Sequence, residues 1–114
     1  MLEYARVVPT LPVSSIERAR RFYERKVGLT RIEDEVEGTI RYGCGGGSGL
    51  ALFERPTEPL DRTVAAWEVE DIEKEVEELR RRGIRVDGVI TLPSGVKRAF
   101  FSDPDGNVLG IRQL

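Results

Sequence analysis

The chain has 114 residues, 33% of them charged and 39% apolar, with eighteen basic side chains against twenty acidic ones and a net charge of −2. That is one domain's length, enough to bury roughly two-thirds of the unfolded surface without staples, and the lack of a basic excess argues against nucleic acid as a partner. Cys44 is alone and histidine is absent, which excludes an intrachain disulfide, every Cys-His or Ser-His-Asp nucleophile and every histidine-containing zinc site.

The opening "MLEYARVVPT" has neither a basic n-region nor an apolar h-region, and no run approaches the ~20 residues of a membrane span. A cytoplasmic protein without a membrane partner is expected. Residues 5 to 13 read as a strand that enters "VSSIERARRFYERKVGL". Ser14 with Glu17 fits a capping box, with Ser15 as the other candidate cap. Ile16, Ala19, Phe22 and Tyr23 recur at helical spacing, with Arg18, Arg21 and Arg25 opposite. That register favours core positions for Phe22 and Tyr23; a ligand-stacking pair is the other reading. Strands follow at about 29 to 36, 39 to 44 and 49 to 54, with "EG" at 37 and 38 as a hairpin turn. The "GGGSG" loop leads into the strand "LALF" rather than a helix, so it does not cradle phosphate.

"ERPTEPLD" is a linker, and a strand at 62 to 69 enters "VEDIEKEVEELRRRGI". There Asp71 is the expected cap, with Ile72, Val76 and Leu79 as the buried stripe. Gly28 and Gly83 end the two helices. Strands are expected at 84 to 91, 96 to 102 and 107 to 113. Between the last two, Asp103-Pro104-Asp105-Gly106 invites comparison with a calcium loop. Such a loop needs glycine at its sixth place and glutamate at its twelfth, where this chain has Val108 and Leu114. The four residues instead suit a type I turn.

Val13, Ile16 and Glu17 match Val69, Ile72 and Glu73 at a constant offset, the mark of an internal repeat. The class is therefore α+β: two tandem βαβββ modules, about 1–55 and 62–114 with a linker at 55–61, within a single domain, 1–114. Each helix covers one face of a curved sheet, and the uncovered faces form an open, barrel-like cleft.

"LPVSSIERARRFYERKVGL" and "FFSDPDGNVLGI", with "TVAAWEVEDIEKEVEELRRRGI" between them, resemble the signatures of the vicinal oxygen chelate superfamily. That superfamily includes glyoxalases, bleomycin-resistance proteins and extradiol dioxygenases. The resemblance implies metal-ligand positions on the first and last strand of each module. These fall on Val8, Leu52 (Ala51 if the register slips by one), Val64 and Gly110, none of which coordinates through its side chain. No metal and no cofactor are expected.

Strand alternation then places Arg6, Val8, Thr10 and Pro12 in the cleft, with Val7 and Leu11 under the helix. It also places Arg62, Val64, Ala66 and Glu68 there, with Trp67 in the core. Leu50, Leu52 and Glu54, and Val108, Gly110 and Arg112, come from the last strands. Tyr42 and Cys44 share a face that also lines the cleft, although a lone cysteine usually serves as a small buried hydrophobe. An apolar floor with a few charges suits a small organic ligand; alternatively, Arg6, Arg62, Arg112, Glu54 and Glu68 pair with one another as a solvated rim.

Three functions compete. One is a metal-independent binding protein resembling the bleomycin-resistance branch, a homodimer that sequesters its ligand. The second is a metal-free lyase or isomerase, with Glu68 or Glu54 as base and an arginine stabilising the oxyanion. The third, a metal-dependent enzyme, would need the cluster Glu33, Asp34, Glu35 and Glu37, which reads as a solvated acidic loop.

Overall fold

The sequence repeats fold as two units, Met1–Glu58 and Pro59–Leu114. A computed structural model describes residues 2–32, 38–59 and 62–114. The acidic cluster Glu33, Asp34, Glu35 and Glu37 lies outside the described residues, as do the end of the strand expected at 29 to 36, the first residue of the 37–38 turn and two linker positions.

In the first unit, β1 (Thr10–Val13), β2 (Thr30–Arg31), β3 (Thr39–Gly43) and β4 (Gly49–Glu54) form a sheet ordered β1-β4-β3-β2. Its β1 and β4 are parallel, and the other pairs antiparallel. The second unit repeats the plan with β5 (Thr63–Glu68), β6 (Ile90–Thr91), β7 (Lys97–Ser102) and β8 (Val108–Gln113), ordered β5-β8-β7-β6. Here β5 runs parallel to β8. The architecture is the expected α+β pair of βαβββ modules.

Two expected strands are shorter than the sequence reading. β1 begins at Thr10, and Val7 is 79% exposed rather than packed under the helix. Without paired neighbours no pleat imposes alternation on residues 5 to 8. Likewise β6 covers only Ile90 and Thr91 of the strand expected from 84, although Ile84 and Val86 are buried. The Val86 carbonyl is satisfied by the Arg80 guanidinium, at 2.8 and 3.2 Å, rather than by a neighbouring strand.

Helix α1 (Ile16–Arg20, continued as a π-helix over Arg21–Val27) starts after Ser15, whose Oγ accepts from Arg18 N at 3.2 Å. Ser14 instead accepts from the Arg18 side chain at 2.8 Å, so Ser15 is the cap and the box with Glu17 does not form. Asp71 caps α2 (Ile72–Arg81) as expected, its Oδ1 accepting from Lys74 N at 3.2 Å. Each helix start has a second acceptor, because four orphan N–H groups need partners there. Ile16 N donates to Glu54 Oε1 at 2.9 Å, and Ile72 N donates to Gln113 Oε1 at 2.8 Å. Each of these acceptors sits at the end of its module's last strand.

Ser15 and Asp71 stand 56 positions apart, whereas the terminal glycines Gly28 and Gly83 stand only 55 apart. The first helix therefore holds one extra residue. It absorbs the insertion by widening: α1 is α-helical over Ile16–Arg20 and π-helical over Arg21–Val27. Gly28 N reaches five residues back to Tyr23 O at 3.0 Å, the signature of a π turn. The wider turn brings the adjacent side chains Phe22 and Tyr23 both into the core.

Candidate functional site

Register partners on adjacent strands share a face. In the first unit Leu11, Leu52 and Ile40 form one row and Leu50 and Tyr42 another, all buried. These rows belong to the helix-covered side, because Glu54 in the same alternation reaches the start of α1. Tyr42, Leu50, Leu52 and Glu54 thus face the helix, not the open side where the alternation had placed them. Three successive buried residues, Leu50, Ala51 and Leu52, give β4 no polar beat from which to read its phase. The Glu54 contact sets that phase.

Tyr42 braces the sheet against the helix. Its hydroxyl donates to Glu24 Oε2 at 2.9 Å, Arg20 Nε lies 3.4 Å from the same oxygen, and its ring stacks on Tyr23 at 6.1 Å. Burial, the Glu24 hydrogen bond and the Glu24 charge push the Tyr42 hydroxyl well above its ordinary 10.0, despite Arg20 and Arg31.

The open face of the first sheet carries Thr10, Ala51 and Arg41 in one row and Pro12, Phe53 and Thr39 in the next. Val8 lies beside Gly49, where a Cβ would stand 3.9 Å from Val8 Cγ1, and the Arg6 stem lies beside Gly47. Cys44 is half-buried at the start of the glycine loop.

In the second unit a bulge interrupts β5 between Thr63 and Ala65. A bulge adds one unpaired residue and resets the alternation, so Val64 leaves the sequence-expected row with Ala66 and Glu68. Three rows cross the open face of this sheet: Thr63 with Val108 and Ser102, Ala66 with Gly110 and Phe100, and Glu68 with Arg112 and Arg98. A Cβ on Gly110 would lie 3.4 Å from Ala66 Cβ and from Thr63 Cγ2, and 3.6 Å from Phe100 Cε1. Around Gly110 the surface is therefore apolar and close-fitted. Trp67 points to the opposite face, stacked on Phe101 at 6.1 Å, and Arg62 is exposed just before β5.

Arg98 and Phe100 belong to this face, and the sequence reading omitted both. A signal existed: the tight turn between β7 and β8 sets their register and puts Phe100 across from Gly110. That turn uses its aspartate internally. Gly106 N donates to Asp103 O at 3.0 Å. Asp103 Oδ1 accepts from Asp105 N and Asn107 N, both at 2.9 Å, and Oδ2 accepts from Asn107 Nδ2 at 2.8 Å. Gly106, at φ 83°, also passes so close to Pro59 that a Cβ would come within 2.7 Å of it.

Ala51 and Gly110 each stand three residues before a helix-start acceptor, Glu54 and Gln113. Ala51, rather than Leu52, is therefore the first-unit counterpart of Gly110. Val8, Ala51, Val64 and Gly110 offer no side-chain donor. Among the described residues no group of three or more Cys, Asp or Glu is placed to hold a metal ion. The side chains at these four positions do not fit a divalent cation.

The family model for the Glyoxalase/Bleomycin resistance protein/Dioxygenase superfamily matches residues 5–111. A glyoxalase/bleomycin resistance protein from Streptomyces sp. CB03234 is 32% identical, with TM-score 0.78 over 96% of this chain and 100% of that one. TnmS3, an antibiotic binding protein from the same Streptomyces, is 31% identical, with TM-score 0.78 over 93% and 92%. A bleomycin resistance determinant encoded on transposon Tn5 shares the fold, at 23% identity and TM-score 0.79 over 94% and 95%. Among the described residues no helix is long and apolar enough to cross a membrane. With the family model spanning nearly all of both modules, the chain belongs to the Glyoxalase/Bleomycin resistance protein/Dioxygenase superfamily.

Proposed function

We propose that this chain is a metal-independent, cofactor-free binding protein that sequesters a small organic ligand in the cytoplasm and works as a homodimer. The observation that carries this is the open face of the second sheet. There the apolar row Ala66, Gly110 and Phe100 adjoins the charged row Glu68, Arg112 and Arg98. Apolar surface beside a few polar groups is the usual make-up of a small-molecule site. The likeness to an antibiotic binding protein at 31% identity supports the same reading.

A thermal-shift panel of hydrophobic antibiotics and small keto and hydroxy acids tests it, because a ligand of the native state raises the midpoint. A hit recovered unchanged after long incubation is the expected result. A panel with no shift would sink the proposal. Light scattering of the purified chain tests the homodimer, for which a monomer is the contrary result.

Glu68 favours a second reading, a metal-free lyase or isomerase. It is the register partner of Arg112 on the open face, so a carboxylate base and an oxyanion-stabilising guanidinium stand side by side. Glu54, the other candidate base, is engaged at the start of α1. Turnover of a panel ligand that disappears in Glu68→Gln would establish this reading instead.

A further inference from the structure

The charged row of the second sheet is incomplete. Arg98 on β7 and Arg112 on β8 are direct register partners on the open face, and like charges in that relation repel. Arg112 Nε is buried with no hydrogen-bond partner among the described residues, an arrangement that destabilises a fold. Glu68 is the register partner of Arg112 on the other side. Even so, neither arginine forms a salt bridge among the described residues. The row therefore carries two cations and one carboxylate, and one monoanion would bring it to neutrality. One pleat further along, roughly 7 Å away, lies the apolar patch of Ala66 and Phe100, which close over the buried Gly110 between them.

We propose that the ligand is an organic acid: its anionic group is taken by Arg112 and Arg98, and its flat apolar body lies on Phe100 and Ala66. This rests on the binding reading above and adds the chemical class of the ligand. Arginine suits the task because its planar fork matches the two oxygens of a carboxylate. An uncharged isostere would leave the row with its excess positive charge.

Calorimetric titration of the full chain with 2-naphthoate and with the neutral 2-naphthamide tests the inference. The acid is expected to bind about tenfold or more tightly than the amide, as charge-assisted hydrogen bonds imply. Arg98→Gln and Arg112→Gln should each reduce that preference, and the double variant should bring it to within about twofold. An amide that matches the acid, a preference that survives in the double variant, or no binding of either probe overturns it. If an uncharged antibiotic still shifts the midpoint in those cases, only the anionic class falls; if nothing shifts it, the binding reading falls too.

Melting without ligand gives a second readout. Arg112→Gln should melt at or above the wild-type temperature, and a drop beyond about 4 °C would mark Arg112 as a structural residue. Should Arg112→Gln not fold, the exposed Arg98→Gln carries the test alone.

Discussion

The two units share a plan but place their aromatic bulk differently. In both, a ring on the third strand fills the space under the helix: Tyr42 in the first and Phe101 in the second, each buried. Tyr42 stacks on Tyr23 from the helix, and Phe101 stacks on Trp67 from the first strand. The positions exchange sizes, for Leu11 holds the place of Trp67 beside the central strand, and Leu79 holds the place of Tyr23 on the helix. A close-packed interior requires that volume be filled, not that one position fill it. The open faces differ in the opposite way. Arg98 and Arg112 face each other on the second sheet, where the first has Thr39 across from Phe53. The helix-covered sides are alternative solutions to one packing problem, while the open sides carry different chemistry.

The comparison breaks most easily at the two sheet centres. Leu52 and Leu109 are both fully buried on the central strands, so each Leu→Ala variant should lose about 3–5 kcal/mol in urea unfolding. A loss below about 1 kcal/mol in either would contradict its place in a close-packed core. The buried Asp103–Asn107 turn is next: Asn107→Ala strands part of a buried carboxylate and should lose about 1–3 kcal/mol.

Tyr42→Phe should lose about 1 kcal/mol near neutral pH through the hydrogen bond to Glu24. Because the folded-state value of Tyr42 lies above the unfolded one, the native state holds its proton where the unfolded chain releases it. The hydroxyl's contribution is therefore complete below pH 10 and declines above it. Wild type and Tyr42→Phe should accordingly converge in stability as pH rises beyond 10, and a constant gap would contradict the assignment. The smallest effect belongs to the paired helix-start acceptors. Glu54→Ala and Gln113→Ala should each lose about 0.5–1 kcal/mol, with Glu54→Gln nearly neutral.

Much of the architecture was legible, because helical spacing, terminal glycines and the repeat all encode it locally. The π turn was not legible: the one-residue difference between the Ser15–Gly28 and Asp71–Gly83 spacings emerges only once the structure selects Ser15 over Ser14 as the cap. The open faces were harder. Alternation counts residues and cannot register the bulge beside Val64, and it has no phase in an unbroken apolar run such as Leu50 to Leu52. The deciding information is a long-range hydrogen bond, from Ile16 to Glu54, that no local pattern announces. Arg98 and Phe100 reach the same face only through the antiparallel pairing of β7 with β8, a register that the alternation of the last strand does not contain.

Ligand binding by this chain is proposed to need no metal. The most direct test is a pair of calorimetric titrations with one ligand from the thermal-shift panel, before and after exhaustive dialysis of the chain against chelator. We predict equal affinities and a ligand recovered unchanged. Affinity lost with the chelator and restored by a divalent cation would contradict the account.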